Sequence, residues 1–207
     1  MKQFFFFLIS VCFLIFCLAD VTLLPVEGSY FKFLSMLLIL LTAPSQKRPV
    51  LCYTVFCDFL LLFTPFYTIG VAFFTIVHLL YVYGLIYEKG QQKMAFLLLP
   101  LAMVLSLLDL YSAALCYIVV FLAHIGTAWA KKANKAYKIG LLLFALCDCC
   151  TALSFLTANT AASRLIWILY VPSQILLTTA KPTFAISTGL LPRQTKYLHP
   201  YRLQKRK

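Results

Sequence analysis

Charge, and acid above all, is what this chain has least of. Only six acidic residues occur in 207, at Asp20, Glu27, Asp58, Glu88, Asp109 and Asp148, and charged residues of both signs make up 12%. An average soluble domain carries about 25%. So sparse a polar complement excludes a soluble domain of any size. The 18 Lys and Arg give a formal net charge of +12, yet a nucleic-acid binder gathers its basic residues on a folded soluble face or arm. Here they fall between apolar runs and in the tail, so no nucleic-acid partner is expected. No internal repeat relates the two halves, which counts against an inverted-repeat transporter. A zinc-type Cys pattern is also missing. Cys147, Cys149 and Cys150 stand in the run C-D-C-C, where successive side chains point about 100° apart around a helix. At most two converge, and with Cys52 and Cys57 they read as small apolar packing residues. No metal and no cofactor is expected.

What the chain has is hydrophobic length: 63% of its residues are apolar, against about 45–50% on average. Runs suited to the roughly 17–25 residues of a membrane span extend from Phe4 to Leu24, Tyr30 to Thr42, Val50 to Phe63, Thr68 to Tyr87, Met94 to Leu108, Leu110 to Ala130, Tyr137 to Thr157 and Leu165 to Ala180. The second and third are short, and reach the minimum if extended to Val26 and Phe66. The stretch 94–130 fits two short helices with a turn at Asp109 better than one. This predicts an all-α fold, a polytopic bundle of eight transmembrane helices in one domain over residues 1–180, with a basic cytoplasmic tail at 181–207. With eight spans, 16 of the 18 Lys and Arg fall on one side, leaving Lys32 and Arg164 on the other. Cytoplasmic loops carry the excess of Lys and Arg, so both termini are expected in the cytoplasm. Lys2 followed by an apolar run also describes a signal peptide, but the apolar character resumes after Asp20 and favours a retained helix. The tail reads as a segment lying on anionic headgroups. The protein is thus expected as a multi-pass integral membrane protein, in the inner membrane if the source is bacterial.

Four spans carry one strongly polar residue near the middle: Asp58, His78, Asp148 and Gln174. Each lies 8 to 11 residues from the start of its run, or roughly 12–17 Å into a core about 30 Å thick. An ionisable group at that depth costs at least about 2.5–3.5 kcal/mol, faces the protein interior and marks a working site. One shared buried polar pocket is therefore expected. Helical spacing adds neighbours on the same faces: Tyr81 beside His78, Tyr170 beside Gln174, Thr54 beside Asp58. The bland alternative is interhelical glue, worth about 0.6 kcal/mol per bond. Ser, Thr or Asn would make such glue with less desolvation, so two carboxylates and an imidazole favour a site. A neutral acid beside an ionised carboxylate is the division of labour of acetal and glycoside cleavage, with His78 titratable near neutrality. His124, mid-helix in the sixth span, either faces the pocket or, as a lone histidine more often does, serves as a satisfied structural donor; Asp109 reads as the cap of the following helix.

The pieces around these residues resemble the lysoplasmalogenase family, the YhhN-like eight-helix membrane proteins. Ala72–Tyr81 (AFFTIVHLLY) is similar to a segment of the form F-x-x-x-H-x-x-Y in that family, Gly140–Asp148 (GLLLFALCD) to its G-x-x-x-F-x-x-S-D, and Tyr170–Gln174 (YVPSQ) to its Y-x-x-x-Q. Tyr53–Asp58 (YTVFCD) resembles its first Asp segment, with Cys57 where Gly is usual, and Cys147 stands where Ser is usual. Lys32 resembles a lysine of the second helix. The resemblance covers about residues 30 to 180. It implies hydrolysis of the vinyl ether bond of a lysoplasmalogen, a lysophospholipid held in the bilayer, to a fatty aldehyde and a glycerophospho-headgroup alcohol. It maps the catalytic acids onto Asp58 and Asp148. His78, Tyr81, Tyr170 and Gln174 then hold water and substrate oxygens, with Lys32 near the phosphate. Competing readings are a small-solute or proton-coupled transporter, since intramembrane acids also build proton relays, and a non-catalytic membrane scaffold.

Overall fold

The computed structural model describes residues 2–20, 28–87, 91–158 and 160–180, so the tail at 181–207 and the extension toward Val26 lie outside the described residues. Among the described residues there are eight helices and no strand: α1 (Lys2–Asp20), α2 (Gly28–Thr42), α3 (Arg48–Phe63), α4 (Tyr67–Tyr87), α5 (Gln91–Leu105), α6 (Leu110–Ala130), α7 (Lys135–Thr157) and α8 (Thr160–Thr179). Four are long and apolar enough to cross a membrane, over Tyr67–Tyr87, Leu110–Ala130, Lys135–Thr157 and Ala161–Thr179, while α2 and α5 are apolar but shorter. Large apolar side chains face outward on α5, α6 and α7, among them Phe96, Met103, Leu115, Leu122 and Leu156. A surface so apolar suits lipid and not water.

Local chemistry sets the helix ends. Pro49 occupies the first turn of α3, where its missing N–H would have had no partner anyway. The expected extension of that helix to Phe66 does not occur. Thr64 is extended at φ −136°, ψ 159°, because Pro65 disfavours helical geometry in the residue before it. Asp109 caps α6 as expected, accepting from the backbone of Tyr111 and Ser112, and divides 94–130 into two helices. The spacing expected Leu108 to close the fifth helix, but α5 ends at Leu105 and 106–108 form the turn. Asn134 caps α7 by accepting from Ala136 N–H at 2.8 Å. α8 begins earlier than its apolar run, at Thr160.

Packing then orients the inner faces. α7 runs along α8, α4 lies against α3, α5 and α6, and α1 packs on α2. The α7–α8 contact is close because Gly140 presents no side chain there: a Cβ on it would stand 3.0 Å from Leu176 Cβ and 3.2 Å from the Ser173 carbonyl oxygen. α4 is the central element, with Phe74, Ile76, Val77, His78, Leu80 and Tyr81 all buried.

Candidate functional site

Each carboxylate meets a tyrosine from another helix. Tyr170 on α8 donates its hydroxyl to both oxygens of Asp58 on α3, at 2.8 and 2.9 Å. Tyr117 on α6 donates to Asp148 Oδ2 on α7 at 2.5 Å. Asp58 is 3% exposed, whereas Asp148 is half-buried.

From Tyr117 a line of polar side chains continues. Its hydroxyl oxygen is 3.3 Å from His78 Nε2, His78 Nδ1 is 2.9 Å from His124 Nδ1, and His124 Nε2 is 2.7 Å from the Tyr137 hydroxyl. Both imidazoles are fully buried. His124 is hydrogen-bonded as expected of a structural histidine, but it is not alone: it is half of a histidine pair. The periodicity held the signal, since Tyr117, Phe121 and His124 recur on one face of α6. Tyr137 and Asp148, eleven residues apart, likewise share a face of α7.

The expected single pocket is instead two Tyr–Asp units joined by aromatic packing. Phe144 stands between them, its ring centroid 5.2 Å from His78 and 5.7 Å from Tyr170. The buried Cys57 and Cys147 immediately precede Asp58 and Asp148 on α3 and α7. Thr54 does not join Asp58; its hydroxyl donates to Val50 in its own helix. The Tyr81 ring stacks on His124 at 5.3 Å and 8°. The Tyr81 hydroxyl, both ends of the Gln174 amide and the Thr178 hydroxyl are buried without a hydrogen-bond partner among the described residues. Pro172 lies inside α8 between Tyr170 and Gln174, leaving the Ile168 carbonyl without its helical donor.

The two ends of α8 differ. Lys32 on α2 places its ammonium 4.9 Å from the Trp167 ring, which stands edge-on to Tyr170 at 5.0 Å, so Lys32 is two rings from Asp58. At the other end, Lys47 donates to the carbonyls of Leu177 and Ala180 at 2.5 and 2.8 Å and lies 5.9 Å from the Tyr137 ring centroid. The cation there meets the negative end of the helix. Burial pushes its ammonium from 10.5 down to about 8. Asp109, outside the spans, is held below the usual carboxylate range by the Ser112 hydroxyl and the backbone N–H groups it accepts from.

Among the described residues no three His, Cys, Asp or Glu side chains converge as a metal site requires. A shallow apolar depression of about 310 Å³ lies among Cys52, Tyr53, Phe56, Phe73 and Leu99, and none of the expected site residues lines it. No protein-family model, curated protein or solved structure matches the chain.

Proposed function

We propose that this protein is an intramembrane hydrolase that cleaves the vinyl ether bond of a lysoplasmalogen by acid catalysis, with Asp58 and Asp148 as the paired acids. The observation that carries the reading is the pair of Tyr-held carboxylates on either side of Phe144. Protonation of the vinyl ether β-carbon by one carboxylic acid makes an oxocarbenium ion at the carbon bonded to oxygen. The second carboxylate steadies that cation and takes a proton from the attacking water. The hemiacetal then collapses to aldehyde and alcohol. Gln174 and Tyr81, buried and without partners among the described residues, are suited to water or the substrate's oxygens, and Lys32 to its phosphate. The alkenyl chain stays in lipid. In this reading all eight helices belong to the membrane domain and both termini face the cytoplasm.

The test is to incubate the purified protein with a lysoplasmalogen and with the matching ester lysophospholipid and measure aldehyde. Release from the vinyl ether substrate alone is expected, falling about 100-fold or more in Asp58→Asn and Asp148→Asn, as expected for loss of a general acid–base group. Folded wild-type protein that releases no aldehyde would falsify the reading. One observation favours a second function, a proton-coupled transporter: the polar line from Asp148 does not stop at the site but runs on to Tyr137. Solute uptake into liposomes without cleavage distinguishes it.

A further inference from the structure

The five side chains Asp148, Tyr117, His78, His124 and Tyr137 have only one consistent set of hydrogen positions when both imidazoles are neutral and Asp148 is ionised. A neutral imidazole donates from one ring nitrogen and accepts at the other. Tyr117 gives its only proton to Asp148 Oδ2, so its oxygen accepts from His78 Nε2–H. His78 Nδ1 is then the acceptor and takes its bond from His124 Nδ1–H. That leaves His124 Nε2 to accept from the Tyr137 hydroxyl. Every donor points toward Asp148.

We infer that this line is a proton pathway that charges Asp148 from the end of the bundle where Lys47 caps α8. The path is about 16 Å long, taken from the eleven residues between Tyr137 and Asp148 on α7 at 1.5 Å each. Tyr137 lies two residues into α7, beside the connection from α6. In one passage a proton from water reaches the Tyr137 oxygen, and the Tyr137 proton moves to His124 Nε2. The His124 Nδ1 proton moves to His78 Nδ1, the His78 Nε2 proton to the Tyr117 oxygen, and the Tyr117 proton to Asp148 Oδ2. Water loses one proton, a neutral carboxylic acid is formed, and both histidines end neutral in the other tautomer. No charge has to rest on a buried imidazole, which burial would make costly. Return of the protons along the same bonds, starting from protonated Asp148, discharges it and restores the first tautomers. Tyr81, stacked on His124 and edge-on to Tyr137, holds the second ring in register without joining the line.

The pathway makes Asp148 the proton donor of the pair and leaves Asp58, held at both oxygens by Tyr170, as the carboxylate. That assignment rests on the hydrolase reading; the pathway itself is tested without substrate. In the full-length protein in detergent, a drop in pH is followed by time-resolved infrared absorption of the protonated carboxyl, and the band that disappears in Asp148→Asn is taken. Tyr137→Phe and His124→Gln are expected to slow its rise about tenfold or more, an added barrier of about 1.4 kcal/mol, with the final amplitude kept. A merely structural role would not change rate at constant amplitude. Tyr137→Phe keeps the ring and carries the test if His124→Gln does not fold. Unchanged rates, or no band dependent on Asp148 in wild type, overturn the pathway. Aldehyde release with unchanged rates sinks the pathway alone, and slowed rates without aldehyde sink the hydrolase alone.

Discussion

At the residue scale, burial sets what each polar group does. Asp58 and Asp148 differ in exposure, yet each is met by a tyrosine hydroxyl, because a carboxylate away from water is costly unless hydrogen-bonded. Lys47 shows the same balance outside the spans. Its ammonium serves two carbonyls at the end of α8, but loss of water holds it down to about 8. The unfolded chain keeps its proton up to about 10.5, so between those values the unfolded state binds more protons and stability rises with pH. Below about 8 both states are charged and the contribution is constant. Thermal unfolding of wild type against Lys47→Met across alkaline pH is expected to move in favour of wild type through that window. A difference that falls there would mean the carbonyl bonds outweigh desolvation.

At the element scale, α7 and α8 share the most extensive contact. Gly140 lets them approach until a Cβ would press on Leu176 and on the Ser173 carbonyl, and the bond from Ser173 Oγ to the Tyr170 carbonyl, at 2.6 Å, lies on the same stretch of α8. A backbone atom cannot yield as a side-chain tip does. Gly140→Val is expected to destabilise by about 1–3 kcal/mol through overpacking, and to displace Tyr170 from Asp58. Gly126, with nothing within 4 Å of its would-be Cβ, is the control, and Gly126→Ala is expected to cost nothing. Equal melting midpoints for Gly140→Val and wild type in detergent would remove this account of the helix pair.

At the scale of the whole molecule, two lysines mark opposite halves of α8. Lys47 joins the end of α8 and faces Tyr137 near the start of α7, while Lys32 meets Trp167 near the start of α8. Excess Lys and Arg mark the cytoplasmic side, so the Lys47 end is expected to face the cytoplasm and the Lys32 end to face away. Reporter fusions at the two termini are predicted to report the same side, and a reporter in the α1–α2 connection the other. Termini on opposite sides would require an odd number of spans and would reverse the proposed access of phosphate and proton to the site.

The sequence by itself determined the helical class, the apolar runs and the positions of the costly residues, because hydropathy and burial of charge are local properties summed along the chain. It also marked Asp109 as a divider, since a cap is written in adjacent residues. The end of α3 at Phe63 was legible too, in Pro65, although the need for span length argued past it. Partnership was not legible. Which tyrosine meets which carboxylate, that His124 pairs with His78, and that Phe144 stands between the two Tyr–Asp units depend on how α4, α6, α7 and α8 rotate against one another. Periodicity fixes the face a residue occupies on its own helix; only tertiary packing decides which faces meet.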